Sequence, residues 1–165
     1  MKRTAPISAV ILLALCLATV LRNGIYADEV SLYRSIVERS PEKARPLNNL
    51  GDALRKTGRD REAAACFERA ISIQPEYPDA MNNLATVYNS TGRKSEALQL
   101  LLAVLRMNPD HLQARHNLAI SYYEAGLLSE AAEQYRIIID LYPESHEAAF
   151  ARTMLGMLQT RGRRH

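Results

Sequence analysis

The sequence predicts an all-α protein, a solenoid of stacked helix pairs, and three observations carry that prediction. A unit of 34 residues occurs three times in succession, at 44–77, 78–111 and 112–145. Apolar residues inside each unit recur at helical spacing. Repeats of this length are typical of helical solenoids. Six positions of the unit are identical in all three copies: Asn49, Asn83, Asn117; Leu50, Leu84, Leu118; Gly58, Gly92, Gly126; Glu62, Glu96, Glu130; Ala63, Ala97, Ala131; Pro75, Pro109, Pro143.

Each identical position has a mechanical role in a pair of helices. Gly58 is predicted to end the first helix in a left-handed conformation that glycine adopts at little cost. Glu62 follows in the first turn of the second helix, where a carboxylate meets the positive end of the helix dipole. Pro75 stops the second helix. Gly51 and Ala63 are small, so we expect the two helices to approach each other closely there.

This pattern resembles the tetratricopeptide repeat, in which two antiparallel helices are joined by a short turn. The resemblance implies a right-handed superhelix that binds other proteins, with no enzymatic activity of its own. One departure concerns the position that the family usually fills with tryptophan, which holds Leu47, Met81 and Arg115. We expect the third repeat to pack loosely around Arg115.

Residues 1–27 are predicted to be a targeting segment. Lys2 and Arg3 precede an uninterrupted apolar run at 7–21, which Ala5 and Pro6 extend to 17 residues. That length suits a long signal-peptide core or a short membrane helix. The segment is predicted either to stay as a membrane anchor or to be cleaved near Ala27. Both alternatives place the repeats on the non-cytoplasmic side, in the periplasm or a lumen.

The repeats are predicted to be capped at both ends, because each unit buries its apolar faces only on its neighbours. Residues 28–43 resemble the second half of a degenerate repeat. Residues 146–165 are predicted to form a capping helix and a basic tail. The apolar face of that helix comprises Phe150, Met154, Leu155 and Leu158.

A second resemblance covers residues 18–51, the junction between the apolar run and the first repeat. The segments Thr19-Val20-Leu21-Arg22-Asn23, Ser40-Pro41 and Asn49-Leu50-Gly51 are similar to the C-terminal end of membrane mannosyltransferases that carry tetratricopeptide repeats. The resemblance implies a true membrane helix at 5–24. The catalytic part of that family lies in many preceding membrane helices, so it implies no enzymatic function for this chain.

Charge and motifs point away from nucleic acid and from catalysis. The formal net charge is +3, but six of the 21 Lys and Arg residues flank the apolar run or lie at the C-terminus, leaving 15 against 18 Asp and Glu. The basic ends therefore give no argument for nucleic-acid binding. We find no catalytic constellation, metal-ligand spacing or cofactor motif. Cys66 is the one cysteine outside the apolar run and is predicted to be a small core residue.

Asparagine is the one polar residue type with a regular arrangement. Asn49, Asn83 and Asn117 each precede the buried leucine of a first helix. Such a ladder resembles the one that holds the substrate backbone in the solenoid of O-linked N-acetylglucosamine transferase. The alternative is that the asparagines only bond between adjacent helices. The predicted peptide-binding groove comprises Asn48, Asn49, Asp52, Asn82, Asn83, Thr86, His116, Asn117 and Ile120.

Three roles therefore stay open. The first is a non-enzymatic scaffold, membrane-anchored or exported, that binds an extended polypeptide or protein partner in the groove. The second is an accessory or detached C-terminal part of a membrane glycosyltransferase system. The third is a structural oligomerisation module, since the sequence does not fix the oligomeric state.

Overall fold

The computed structural model describes residues 7–162, which form eight α-helices and no strand. Consecutive helices pack against each other throughout the stack, and the closest pairs are α2 with α3, α4 with α5, and α6 with α7. The molecule is thus three helical hairpins flanked by one helix on each side. The helices are α1 (Ile7–Arg39), α2 (Ala44–Lys56), α3 (Asp60–Ile73), α4 (Pro78–Ser90), α5 (Lys94–Met107), α6 (Leu112–Glu124), α7 (Leu128–Leu141) and α8 (His146–Gly162).

The turn inside each hairpin depends on one glycine. Gly58, Gly92 and Gly126 have φ of +76°, +85° and +78°, a left-handed conformation that side chains disfavour. After α2 the amide of Gly58 donates to the carbonyl of Arg55, and the next amide donates to the carbonyl of Leu54. These bonds satisfy carbonyls that the helix leaves open at its end. The predicted glycine caps are therefore present.

The core lies between the packed helices and comprises three clusters of buried side chains. Its largest fully buried members include Phe67, Leu101 and Tyr135, which occupy the same position of the second helix in the three repeats. Gly51 faces the ring of Phe67, and a Cβ on this glycine would lie 2.6 Å from the ring. The close approach that the sequence predicted at Gly51 is thus made to Phe67, because the ring occupies the space between the helices.

Arg115, where the third repeat was expected to pack loosely, makes hydrogen bonds through its terminal nitrogens, while its Nε is buried without a partner. The guanidinium of Arg115 donates to Oε1 of Gln134 at 3.0 Å and to the carbonyl of Pro109. Around it, Leu118 and Ile138 are fully buried. The arginine therefore ties α6 to α7 and to the preceding loop with hydrogen bonds, where an apolar side chain would have contributed packing.

α1 is one continuous helix of 33 residues that joins the predicted targeting segment to the predicted half-repeat without a break. Its C-terminal part packs on the first hairpin through Val30, Tyr33 and Val37. Its N-terminal part carries apolar side chains that are each more than half exposed: Ile11, Leu12, Leu15, Leu17, Val20 and Leu21.

The structure does not support the predicted N-terminal transmembrane helix. Within the described residues, no helix combines the length and apolar character needed to cross a bilayer. The described apolar run at 7–21 is followed in α1 by charged residues from Arg22 onward. Lys2, Arg3, Ala5 and Pro6, on which the prediction also rested, lie outside the described residues.

α8 occupies the place of a fourth first helix, since it begins 34 residues after α6. Ala148, Ala151 and Met154 are buried in one cluster with residues of α7. Arg152 and Thr153, on another side of the helix, are exposed. Of the predicted apolar face, Met154, Leu155 and Leu158 join this cluster, whereas Phe150 is 37% exposed. The helix thus covers the third repeat, as a terminal helix of a solenoid must. The last residues of the predicted basic tail, 163–165, lie outside the described part.

Candidate functional site

The first helices of the three hairpins, α2, α4 and α6, lie side by side, with α4 in contact with both neighbours. We call the surface that they form the first-helix face. All nine residues of the predicted groove belong to these three helices. They come from α2 (Asn48, Asn49, Asp52), α4 (Asn82, Asn83, Thr86) and α6 (His116, Asn117, Ile120).

Two pairs of asparagines connect adjacent first helices. Nδ2 of Asn83 on α4 donates to Oδ1 of Asn48 on α2 at 3.1 Å. One repeat further along, Nδ2 of Asn117 donates to Oδ1 of Asn82 at 2.9 Å and also contacts Oγ1 of Thr86 at 3.3 Å. The asparagines therefore do bond between helices, as the alternative interpretation of the ladder held.

Each of these amide pairs still leaves two hydrogen-bonding atoms unused. A side-chain amide carries two N–H donors and a carbonyl acceptor. Within the described part of the chain, Nδ2 of Asn48 and Asn82 and Oδ1 of Asn83 and Asn117 have no protein partner. Asn83 and Asn117 are half-buried, whereas Asn48 and Asn82 are each 8% exposed. Every pair thus offers one free donor and one free acceptor, repeated once per helical repeat.

The amide row ends differently at its two ends. Among the described residues, the side chain of Asn49 makes no hydrogen bond, so the row begins with a free amide. At the other end His116 replaces asparagine, and Ala151, in the position 35 residues further on, carries no amide. The ring of His116 instead meets the ring of Phe150 edge to face, with centroids 5.1 Å apart. The face therefore changes from polar to aromatic between α6 and α8.

His116 is held in an apolar environment. Its Nδ1 is buried without a hydrogen-bond partner. Burial lowers the pKa of His116 below its ordinary value of 6.5, although the nearby Glu147 acts in the opposite direction. The imidazole is consequently neutral at pH 7 and contributes a flat, mainly apolar surface.

Asp52 is less available to a ligand than the sequence suggested. Its carboxylate contacts the guanidinium of Arg55 at 2.8 Å and the ammonium of Lys56 at 2.9 Å. Burial alone would raise the pKa of Asp52, but the hydrogen bonds from Lys56 and Arg55 outweigh it and lower the pKa. The charge of Asp52 is thus largely compensated inside α2.

Two pockets open between the first helices. The first has a volume of about 430 Å³ and the second about 270 Å³. The first is lined by Arg45, Asn48, Asn49, Gln74, Tyr77 and Asp79. The second is lined by Thr86, Asn89, Ser90, Asn117, Ile120 and Glu124. Five of the nine predicted residues therefore line a pocket between adjacent repeats.

Sequence reasoning missed two kinds of pocket residue. Gln74 and Tyr77 belong to the connection between α3 and α4, and only the packing brings them to the first-helix face. Asn89 lies on α4 itself, seven residues after Asn82. Because seven residues make about two helical turns, this spacing places Asn89 on the same side of the helix and could have identified it.

The stacked hairpins define a class of protein, the helical-repeat solenoid. The family model for the tetratricopeptide repeat matches residues 48–111 and 90–146, which together make up more than half of the chain. The chain therefore belongs to the tetratricopeptide repeat family, and the sequence-based resemblance is confirmed. Within the described residues, no group of three or more His, Cys, Asp or Glu could hold a metal ion.

Two solved structures are similar to this fold at low sequence identity. MamA from Desulfovibrio magneticus is 22% identical with a TM-score of 0.75, covering 92% of this chain and 84% of that one. The first repeat domain of Spaghetti (RPAP3), solved with an HSP90 peptide, is 22% identical with a TM-score of 0.67, covering 72% of this chain and 92% of that one. At such identities the likeness concerns the fold alone.

A curated relative is similar over a short stretch. The protein O-mannosyl-transferase Tmtc2 of Drosophila melanogaster is 43% identical over 63 residues, which are 38% of this chain. The same stretch is 6% of the fly protein, so this chain corresponds to a small part of that relative's length. The match agrees with the resemblance of the junction to mannosyltransferase-like membrane proteins.

Proposed function

We propose that the protein is a non-enzymatic scaffold that binds an extended polypeptide along the first-helix face. The observation that carries this proposal is the pair of unused atoms at each asparagine pair. Nδ2 of Asn48 and Asn82 can donate, and Oδ1 of Asn83 and Asn117 can accept.

A peptide unit needs this combination of partners, because each carries one N–H donor and one carbonyl acceptor. An amide pair repeated along a row of helices can therefore bind a backbone without reading its sequence. Each such hydrogen bond contributes about 0.5–1.5 kcal/mol net. The free amide of Asn49 extends the row at its first end. RPAP3, a relative in fold, is a solved example bound to a peptide.

Binding by the amide row is tested with an array of extended peptides probed by the full chain. Asn49→Ala removes a free amide without breaking any hydrogen bond of the fold, and we expect weaker signals across most binding peptides. Asn49→Ala combined with Asn83→Ala and Asn117→Ala should weaken them further. Gln99→Ala, on the exposed side of α5, is the matched control.

Melting curves show whether the triple variant keeps its fold, since it also loses three hydrogen bonds between helices. If a folded triple variant bound the array like the wild type, the asparagines would serve only the packing of the helices. The proposal would then be wrong.

We also propose that the N-terminal half of α1 directs the chain to a membrane, where it is retained as an anchor or removed near Ala27. Support comes from the exposed apolar side chains of α1. At 100° per residue, Ile11, Leu12, Leu17 and Val20 point in four different directions. A helix that is apolar all round is typical of a membrane environment. The repeats would then lie on the non-cytoplasmic side.

Anchoring and cleavage are distinguished by the mature N-terminus. We expect the full apolar segment to be present in membrane fractions that resist alkaline extraction. A mature protein beginning at Asp28, determined by mass spectrometry, would instead establish cleavage. Retention of the full chain in the soluble cytoplasmic fraction would contradict both alternatives.

A second candidate function is an accessory or detached part of a membrane glycosylation system. Its support is the 43% identity to Tmtc2 over 63 residues. We expect a polytopic glycosyltransferase to be encoded beside this gene and to copurify with the chain in detergent. Copurification with other proteins and no such neighbour would favour the general scaffold.

A further inference from the structure

We propose that the pocket between α4 and α6 is a subsite for a basic side chain, lysine or arginine, of the bound polypeptide. We call it the basic-residue pocket, and it is the second of the two pockets described above. The inference rests on the proposed function, because a polypeptide along the first-helix face would cross this pocket. The inference adds to that function the chemical class of ligand residue that the first-helix face prefers.

Most of the polar donors that line the pocket are already engaged inside the protein. The hydroxyl of Thr86 donates to the carbonyl of Asn82. The hydroxyl of Ser90 lies 2.9 Å from the carbonyl of Val87 and donates to it.

The two amide nitrogens donate as well, and of their four N–H groups only one, on Asn89, has no partner among the described residues. Nδ2 of Asn89 donates to Oγ of Ser121 at 2.6 Å, and Nδ2 of Asn117 donates to Asn82 and Thr86. A ligand that needs donors from the pocket walls, such as a carboxylate, therefore finds few.

Acceptors remain. Oδ1 of Asn89 is buried without a partner, an unfavourable state for a carbonyl oxygen. Oδ1 of Asn117 also has no partner within the described part of the chain. Glu124 adds a carboxylate, which accepts hydrogen bonds and carries charge. Its one ion pair among the described residues, with Lys94, is 3.8 Å long and exposed.

A pocket with free acceptors and few free donors is complementary to the end of a lysine or arginine side chain. An ammonium has three donors and no acceptor, and a guanidinium has five donors and no acceptor. Ile120, a half-buried residue of the lining, provides an apolar contact for the methylene stem. The cation would gain a charge-assisted hydrogen bond at Glu124 and would pair the orphaned oxygen of Asn89.

The test uses the full chain in detergent and extended peptides that differ at one central position. Lysine is compared with norleucine, and arginine with the neutral citrulline, because these pairs keep the stem and remove the charge. We expect the basic peptides to bind about tenfold more tightly, as expected for a hydrogen bond to a charged group in a partly exposed site. The preference should weaken as salt is raised.

Two charge-neutralising variants locate the effect. Glu124→Gln should reduce the preference for lysine over norleucine to about threefold or less, because it removes the one formal charge of the pocket. Glu133→Gln, an equivalent change on the exposed side of α7, should leave the preference unchanged. Neither change touches a buried atom, and identical melting curves would verify the fold.

The outcomes separate this inference from the proposed function. If peptides bound but lysine and norleucine bound equally well, the basic-residue pocket would be refuted and the scaffold function would stand. A preference that survived Glu124→Gln would also refute the assignment to this pocket. If no peptide bound, the proposed function would be refuted and the inference with it.

Discussion

At the residue scale, the structure explains why chemically similar positions differ in importance. Gly51 and Gly156 are both helical glycines, yet a Cβ on Gly51 would lie 2.6 Å from the ring of Phe67, whereas a Cβ on Gly156 would meet nothing within 4 Å. An alanine side chain would therefore be overpacked in α2 and would touch nothing in α8. The surroundings of each glycine decide whether alanine lowers or raises the stability.

We predict that Gly51→Ala destabilises the protein, because the fully buried ring of Phe67 has little space to move. The cost should be about 1–3 kcal/mol, the usual range for overpacking a core. Gly156→Ala should instead raise stability by up to about 1 kcal/mol through helix propensity. Chemical denaturation measures both free energies of unfolding.

A double variant tests the proposed cause. Gly51→Ala with Phe67→Leu reproduces the pair Ala85 and Leu101 of the second repeat. It should unfold at a higher denaturant concentration than Gly51→Ala alone. If the second change brought no recovery, the clash with the ring would not be the source of the cost.

His116 should make stability depend on pH. Burial lowers its pKa in the folded state below the ordinary 6.5, so the unfolded chain binds a proton first as the pH falls. The stability is fully present above about pH 6.5 and is lost as the pH falls from there through the lower, folded pKa. The loss of stability should be complete once the pH is below the pKa values of His116 in both the folded and the unfolded state.

Replacement by the residue of the other repeats isolates this effect. His116→Asn should flatten the pH dependence of the melting temperature between about pH 6.5 and 5, relative to the wild type. His146→Asn, at an exposed position of α8, should change the slope less, because His146 lowers the pKa of His116 only as a smaller cause beside burial. Equal slopes for wild type and His116→Asn would show that the buried ring is not responsible.

At the element scale, α8 ends the stack because its two sides have different chemistry. Ala151 is fully buried in the cluster shared with α7, whereas Thr153, two residues further, is exposed. The helix therefore covers the last apolar face of the third repeat. Its exposed part is mixed, since Arg152 and Thr153 are polar whereas Phe150 and Met157 are 37% and 48% exposed.

We predict that Ala151→Asp detaches α8 and causes aggregation, because a carboxylate without a partner is costly to bury. The exposed surface of α7 would then promote association between molecules. Thr153→Asp introduces the same charge on the outer side and should leave the protein monomeric. Light scattering and circular dichroism of both variants give the comparison, and equal behaviour would contradict the role assigned to α8.

At the scale of the whole molecule, the packed body extends from the second half of α1 to α8. Val30, near the middle of α1, already belongs to the core. The exposed apolar side chains before it do not take part in that core. The solenoid and the N-terminal half of α1 are therefore separate in their packing.

We predict that residues 28–165 fold alone as a helical, monomeric domain, since both ends of the solenoid are covered. Circular dichroism should show helix, and sedimentation should show no dependence on concentration. Association that increased with concentration would favour the oligomerisation module over the scaffold. A domain obtained only as aggregate would show that the apolar half of α1 is needed for folding.

The sequence by itself determined the repeats, because their period, glycine caps and apolar spacing are local properties. It also singled out the asparagine row, since one position per repeat lies on one side of each first helix. Only the tertiary structure decided how the amides are used. The bonds from Asn83 to Asn48 and from Asn117 to Asn82 join residues 35 positions apart, and they depend on how far each hairpin is shifted against the next. The same stacking brings Asn89 of α4 and Glu124 of α6 into the lining of one pocket, and no local pattern specifies that arrangement.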